Sequence, residues 1–376
     1  MSDGAAPGGG SANAAPLDLP GPVRAGEDLA LAALARWLEE QLPELAGPLA
    51  VEQFPGGHSN LTYLLRAAGR ELVLRRPPFG SSVKTAHDMG REFRVLSRLA
   101  DHYPKAPRAL AWCDDPAVLG APFYLMERVR GIILRSPRPP AGIELPPARM
   151  RALSEAAIDG LAELHGVDFA AAGLAELGRP EGYVERQVGG WTGRWQRART
   201  DPVPEIDDAA AWLAAHLPRA AAQGGGGGPA ILHNDYKYDN LVFAPDLSRI
   251  VAVLDWEMAT VGDPLMDLGT TLAYWLDREE VESCGLPAGP TALPGNLSRT
   301  EVVEHYARRS GREVGEVLFY FVFGLLKIAV IAQQIYFRYR QGLTHDERFA
   351  RLLEPVRALG RTACQAIALR RIDLAS

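Results

Sequence analysis

Between residues 231 and 243 the sequence reads ILHNDYKYDNLVF, with polar residues at His233, Asn234, Asp235, Lys237, Asp239 and Asn240. A second acid, Asp255, ends the apolar run VAVLD and opens DWEMATVGDPLMDLG, which also holds Glu257 and Asp267. Taken singly, Asp and Asn at strand ends cap turns. Their joint spacing asks for more. His233-x-Asp235 followed by Asn240 forms an H-x-D-x-x-x-x-N frame, and transfer of a phosphoryl group from ATP gives each member a task. A carboxylate must orient the attacking hydroxyl and accept its proton, which suits Asp235. Mg²⁺ takes oxygen ligands and keeps several waters, so one amide oxygen and one carboxylate on adjacent loops, Asn240 and Asp255, are a sufficient protein contribution. His233 reads as a brace for the loop, and Lys237 as either a solvated side chain or a second phosphate contact.

Such a loop needs a surface that holds the nucleotide, and the N-terminal third contains the parts. In LVLRRPP the alternation turns Val73 one way and Leu72 and Leu74 the other, leaving Arg75 at the strand end to reach phosphates unless it is simply a surface arginine. Glu92, in MGREFRVL, is expected on the helix face opposite its apolar neighbours, where it pairs with Arg75; an exposed pair would matter only for positioning. PGGHSN, residues 55 to 60, joins two strands, and around Gly57, Ser59 and Asn60 backbone N–H groups can approach phosphate oxygens, although Gly-Gly also makes ordinary hairpins. No GxxxxGK[ST] motif occurs. APFYLMERV reads as a strand entering a hinge, with Met126 at its buried end and the backbone of Glu127 to Val129 open to an adenine edge.

The elements that must position these residues follow from periodicity. Residues 28 to 45 have the Leu and Ala spacing of an amphipathic helix, and 49 to 77 break into short β-type runs with Gly-containing turns. Residues 85 to 101 carry Met89, Phe93, Leu96 and Leu99 at helical intervals, and 121 to 131 return to a strand. The N-terminal third is thus a small sheet crossed by one helix. Beyond residue 145 the pattern is helical over 148 to 166, ending at a glycine suited to a C-cap, and over 205 to 218, 299 to 310, 314 to 340 and 346 to 371. Strands interrupt it only over 230 to 254, where the span from Asn240 to Asp255 has room for one hairpin. The expected organisation is a disordered tail over 1 to 25, a β-rich lobe over 26 to 129, and an α-rich lobe over 130 to 376. The five glycines at 224 to 228 precede a strand, the wrong order for a dinucleotide-binding turn, and read as a mobile loop.

Composition bounds the rest. The 376 residues can bury a large core, and 47% apolar with 23% charged residues is a soluble, globular balance. A net charge of −6 argues against a general nucleic-acid binder. Cys113, Cys284 and Cys364 form neither a disulfide framework nor a metal pair, so a reducing cytoplasm is the simplest setting. The run VLFYFVFGLLKIAVIA (317 to 332) is shorter than a bilayer requires and is broken by Gly324 and Lys327, which predicts a core helix and no membrane association.

From PGGHSNLTYLLR through LVLRRPP, REFRVL, APFYLMERVRG, ILHNDYKYDNLVF and VLDWEMATVGDPLMDLG, the chain resembles the aminoglycoside phosphotransferase-like, or choline-kinase-like, phosphotransferases. Through RRPP, TAHDMGREF and DWEMATVGDP it looks most like the branch related to the kinase-like domain fused to some acyl-CoA dehydrogenases. The resemblance implies an α+β, bilobal protein-kinase-like fold with a small β-rich N-terminal lobe and a larger, mainly helical C-terminal lobe. It implies Asp235 as catalytic base, Asn240 and Asp255 as Mg²⁺ ligands, Arg75 in the place of the usual phosphate-contacting lysine, Glu92 as its helix partner, and Asp267 as a structural acceptor for the catalytic-loop backbone. Two departures stand out: arginine binds phosphate with a planar fork instead of a point charge, and HND replaces the frequent HGD. Asn tolerates the left-handed backbone better than most residues, though its side chain can crowd a substrate.

The resemblance implies ATP, with GTP as an alternative, Mg²⁺, and a small hydroxylated acceptor. The segment YVERQVGGWTGRWQRART (183 to 200) is basic and aromatic. If Trp191, Arg194 and Trp195 face the cleft with Lys237 and Glu257, they suit an anionic acceptor such as a hydroxyacyl-CoA; otherwise the segment is an amphipathic surface helix. An antibiotic phosphotransferase and a catalytically weak pseudo-kinase module are the alternatives. A protein kinase is disfavoured, since GDPLMDLG follows Asp255 too soon for an activation loop. Oligomeric state is not legible.

Overall fold

The structure is a computed structural model that describes residues 19 to 55, 60 to 79, 89 to 140, 142 to 218, 227 to 284, 288 to 344 and 346 to 374. The expectations for Gly57 and Ser59, for residues 1 to 18 and for Gly224 to Gly226 lie outside these residues.

Alternation in the N-terminal third produces five strands: β1 (Leu49–Gln53), β2 (Leu61–Ala67), β3 (Arg70–Arg76), β4 (Ala109–Cys113) and β5 (Phe123–Glu127). They form one antiparallel sheet in the order β1-β2-β3-β5-β4. Helix α1 (Leu31–Gln41) covers one face, packing Leu34 and Leu38 with Leu72 and Leu74. Helix α2 (Met89–Leu99) lies on the other, where Val73 joins Val95 and Leu96. Both faces are therefore covered, and Arg75, on Val73's side, is carried into the interior. Residues 19 to 25, expected within a disordered tail, are instead tied down: Gly21 and Gln53 exchange two backbone hydrogen bonds of 2.8 Å. Short β4 and the one-turn α3 (Pro116–Leu119) leave no periodic signal in the sequence, because neither is long enough to show a period.

After β5 the chain is mainly helical: α4 (Pro147–His165), α5 (Tyr183–Ala198), α6 (Pro204–Ala215), α7 (Pro264–Tyr274), α8 (Arg278–Cys284), α9 (Arg299–Ser310), α10 (Val317–Arg340) and α11 (Leu353–Leu369). Gly166 ends α4 with φ −88°, not the left-handed cap that its position suggested. Strands β6 (Ala230–Leu232) and β9 (Thr260–Gly262) pair, and β7 (Leu241–Phe243) and β8 (Ile250–Val253) form the hairpin between Asn240 and Asp255. The result is an α+β, bilobal molecule.

Helix α10 is long and apolar enough by composition to cross a membrane, with a mean hydropathy of 1.8, and 67% of that stretch is buried inside the fold. It packs on α5, α6, α7 and α11. At its crossing with α7, Gly324 meets the backbone of Gly269 and Gly269 meets that of Tyr320, so closely that a Cβ on either glycine would collide with main chain. That approach brings Lys327, one turn beyond Gly324, beside the loop that follows β6.

Candidate active site

The loop between β6 and β7 is held by Asp267 on the first turn of α7. Its carboxylate is fully buried and accepts the His233 amide at 2.6 Å and the Asn234 amide at 2.8 Å. Burial pushes this carboxyl up, but His165 and the His233 amide outweigh it and leave it below the usual range. His233 is buried; its Nε2 donates to the Leu254 carbonyl at 2.9 Å, and its Nδ1 accepts the Asp235 amide at 3.2 Å. That geometry fits a brace and leaves no ring nitrogen for proton transfer. Asn234 has φ +66°, the left-handed backbone that HND in place of HGD requires.

Asp235 follows on this loop, its side chain partly exposed. Lys237 Nζ contacts both of its oxygens, at 3.0 and 2.9 Å, and Asn240 Nδ2 donates to its carbonyl at 2.8 Å and its carboxylate at 3.0 Å. Burial opposes the charge on Lys237, but Asp235 more than offsets this, so its pKa is raised. Lys237 also lies over the Tyr274 ring, 4.6 Å from its centroid. The β7–β8 hairpin brings the second acid alongside, since the Leu254 amide donates to the Asn240 carbonyl at 2.8 Å.

Arg75 ties the lobes together. Its Nη1 donates to Glu92 at 2.7 Å and its Nη2 to Asp255 at 2.9 Å. Arg75 is thus buried between two acids, not a surface residue. The expectation for Glu92 was wrong in one respect: it does not face away from the apolar residues of α2 but lies in their stripe with Met89 and Leu96, fully buried. The stripe position was legible, and the error was to assume that a charge must leave it. Glu92 also accepts the Trp256 amide at 3.1 Å, and Arg91 donates to the Ala259 carbonyl at 2.7 Å, fixing α2 to the far lobe. One cation serves two carboxylates unequally. Burial pushes Asp255 up, but Arg75 outweighs it and holds that carboxyl below the usual range; in Glu92 burial wins and the carboxyl is raised.

Glu257, expected on the acceptor side, instead faces the N-terminal lobe and accepts Asn60 Nδ2 at 3.0 Å. Burial and the neighbouring Asp255 push it up to about 8. Mostly protonated near neutral pH, Glu257 adds little charge beside Asp255, and Asp235 and Asp255 each pair with a cation, Lys237 and Arg75. Asn240 spends its amide nitrogen on Asp235, which leaves Oδ1 as its ligand-capable atom. An all-oxygen set of few protein ligands, the Asn240 amide oxygen and an Asp255 carboxylate held ionised, fits Mg²⁺. Among the described residues no three His, Cys, Asp or Glu side chains form a ready-made metal cluster.

Met126 is buried as expected, but the hinge backbone is only partly open. The Glu127 amide donates to the Arg108 carbonyl at 2.9 Å, and Arg128 Nη1 contacts Glu71 at 2.7 Å. Val129 remains beside this segment, packed against Ile133 and Val242. Helix α5 divides its residues. Trp195 is a core side chain whose Nε1 donates to Asp207 at 2.7 Å, so it does not belong to the cleft. Trp191 and Arg194 stack, with 4.3 Å from guanidinium to ring centroid, and Lys327 lies 5.9 Å from the same ring. Burial and Arg197 lower the Arg194 pKa.

A cavity of about 330 Å³ opens beside Lys237, lined by Arg135, Asp239, Tyr274, Trp275 and Ile328 among others. A larger groove of about 530 Å³ between α5 and α6 contains no catalytic-loop residue. The smaller cavity reaches the loop between β6 and β7 through Lys237, Tyr238 and Asp239. Tyr274, Trp275 and Lys327 were not foreseen; Lys327's only signal was a lone charge in a long apolar run.

The model of the phosphotransferase enzyme family matches residues 50 to 293. The chain belongs to that family. Among curated relatives, acyl-CoA dehydrogenase family member 10 of Mus musculus is 35% identical over 320 residues, 84% of this chain and 29% of that protein. Family member 11 of Gallus gallus is 34% identical over 338 residues, 87% of this chain and 42% of its own. The chain thus spans less than half the length of these curated relatives. A solved structure from Ralstonia eutropha, named for aminoglycoside phosphotransferases, is 31% identical with a TM-score of 0.74, covering 89% of this chain and 97% of that one. Aminoglycoside phosphotransferase APH(4)-Ia, in a ternary complex with AMP-PNP and hygromycin B, shares the fold at 18% identity and a TM-score of 0.54, over 88% of this chain and 98% of its own.

Proposed function

We propose that this phosphotransferase moves the γ-phosphoryl group of ATP, or of GTP, to a hydroxyl of a small anionic metabolite such as a hydroxyacyl-CoA. One observation carries the reading: Asp235, Asn240 and Lys237 from the catalytic loop converge with Arg75, Glu92 and Asp255 across the lobe interface. In this reading residues 26 to 129 hold the nucleotide and residues 130 to 376 hold the acceptor and the catalytic loop.

Asp235, held in one orientation by Lys237 and Asn240, aligns the acceptor hydroxyl and takes its proton as the oxygen attacks phosphorus. The bond from phosphorus to the β,γ-bridging oxygen breaks, and its electron pair leaves with the nucleoside diphosphate. Lys237 sits where its charge would offset negative charge on the transferred group. Asp255 and Asn240 would hold Mg²⁺, which neutralises phosphate charge when bound. Arg75 orients Asp255 by its fork and keeps it ionised.

The acceptor class is supported by the cavity beside Lys237, whose walls include Tyr274, Trp275 and Ile328 and whose charged residues are two cations, Lys237 and Arg135, to one acid, Asp239. An apolar wall with cations suits an acyl chain bearing an anionic group better than a polycationic antibiotic. The test is to incubate the enzyme with Mg·ATP and panels of hydroxyacyl-CoAs, free hydroxy acids, amines and aminoglycosides, and to identify product by a mass gain of one phosphoryl group. Selective phosphorylation of an aminoglycoside would overturn the anionic reading.

A further inference from the structure

Lys327 is the only charged residue between Val317 and Phe337, and it is 2% exposed in the core of α10. A buried ammonium contributes little to stability, because its desolvation offsets what its contacts return. A methionine would fill the same space without that cost, so the charge needs a reason other than folding.

Its contacts supply one. Nζ donates to the Asn234 carbonyl at 2.6 Å and lies 3.4 Å from Asn234 Oδ1. Asn234 is also fixed by Asp267 through its amide, at 2.8 Å, and by the Met258 carbonyl through Nδ2, at 3.1 Å. Three separate elements, α7, the turn after Asp255 and α10, therefore fasten the residue just before Asp235. A glycine at 234 could offer only its backbone to this arrangement. The asparagine adds both side-chain contacts, and the crossing of Gly324 with Gly269 sets the depth at which Lys327 arrives.

We propose that Lys327 is a positioning residue for phosphoryl transfer, holding the left-handed turn at Asn234 that aims the Asp235 carboxylate at the acceptor hydroxyl. The inference rests on the phosphotransferase reading of Asp235. The charged groups facing Lys327 are Asp235 and Lys237 in the catalytic loop, Asp267 on α7 and Arg194 on α5, with the Trp191 ring beside it. Burial dominates, and although Asp267 and Asp235 favour the charge, the Lys327 pKa is lowered to about 8. Deprotonation as pH rises through that value weakens the grip on the Asn234 carbonyl.

The test compares wild type with K327M, N234G and the double variant in steady-state kinetics from pH 6.5 to 9.5, thermal denaturation, and hydrogen exchange of residues 233 to 237 read by mass spectrometry. Misplacement of a catalytic group by about 1 Å costs on the order of 100-fold. K327M is expected to lose roughly 10- to 100-fold in kcat with the KM for ATP within about twofold. Its melting temperature stays level or rises, and local exchange quickens. The double variant falls little below the worse single one, and the wild-type decline in kcat above about pH 8 is absent from K327M. Wild-type kcat in K327M, or a loss of kcat matched by a fall in melting temperature and exchange quickened throughout the protein, overturns the inference. Should wild type transfer no phosphate to any acceptor, the functional reading fails and exchange alone decides. Quickened exchange confined to 233 to 237 at an unchanged melting temperature then upholds the positioning role, and unchanged exchange there refutes it.

Discussion

Replacing Arg75 by methionine removes the guanidinium that bridges Glu92 and Asp255, and the cost follows from how each acid can respond. The Asp255 side chain is 31% exposed and can rehydrate, whereas the Glu92 side chain is 0% exposed and cannot. An unpaired carboxylate there takes up a proton instead of staying charged. With an unperturbed glutamate pKa of about 4.3, protonation at pH 8 costs at most about 5 kcal/mol, and at pH 5.5 about 1.6 kcal/mol. The first figure agrees with the roughly 3–5 kcal/mol typical of breaking a buried pair by removing one partner. The sign is fixed. In the variant the folded-state pKa of Glu92 lies further above its unfolded value, so the folded protein holds an extra proton, and stability falls as pH rises through that window. Denaturant unfolding of wild type and R75M, without nucleotide, from pH 5.5 to 8 measures the gap. It should approach several kcal/mol at pH 8 and shrink severalfold at pH 5.5. A gap below about 1 kcal/mol at pH 8, or one indifferent to pH, would refute the argument that a single cation sustains both acids.

Other outcomes follow from the same geometry. Asp235→Asn should lower kcat by about 10²–10⁴-fold while nucleotide still raises the melting temperature; unchanged turnover would remove Asp235 from the mechanism. Asp267→Asn turns one acceptor of the buried His233 and Asn234 amides into a donor and should destabilise by about 3 kcal/mol in denaturant unfolding. Trp195→Phe removes the bond to Asp207 and should cost about 1 kcal/mol with kcat and acceptor KM unchanged; an altered acceptor KM would return this residue to the cleft. Glu257, pushed up to about 8, binds a proton in the folded state that an unfolded glutamate releases near pH 4.3. Wild-type stability without nucleotide should therefore fall as pH rises between those values, and Glu257→Gln should flatten that part of a melting-temperature profile.

What could be read from the sequence divides along a physical line. That Asp235, Asn240 and Asp255 lie near one another was legible because one short loop and one hairpin carry them, so spacing along the chain is nearly spacing in space. Val73 against Leu72 and Leu74 was legible from strand alternation alone. Glu92 was misread because periodicity gives a face but not its solvation, and only Arg75, arriving from another element, makes a buried carboxylate tolerable. Trp195 and Glu257 were assigned to the wrong surroundings because composition says that a segment is basic, aromatic or acidic without saying which way each side chain turns. Lys327 depends on two helices crossing at glycines far apart in sequence, and no local pattern encodes such a crossing.

After β5, the chain's first step into the helical lobe is a clip. Ile132 and Phe243 exchange two backbone hydrogen bonds of 2.8 Å, and Gly131 lies so close to the Phe243 carbonyl that no side chain fits between them. Phe243 ends the strand that begins next to Asn240, so the connector is welded to the same hairpin that supports the catalytic loop. Only the few residues between Glu127 and Gly131 separate this clip from the sheet of the small lobe. The connector is a short span fixed at both ends, to β5 in the sheet on one side and, on the other, to the hairpin that runs from Asn240 to Asp255.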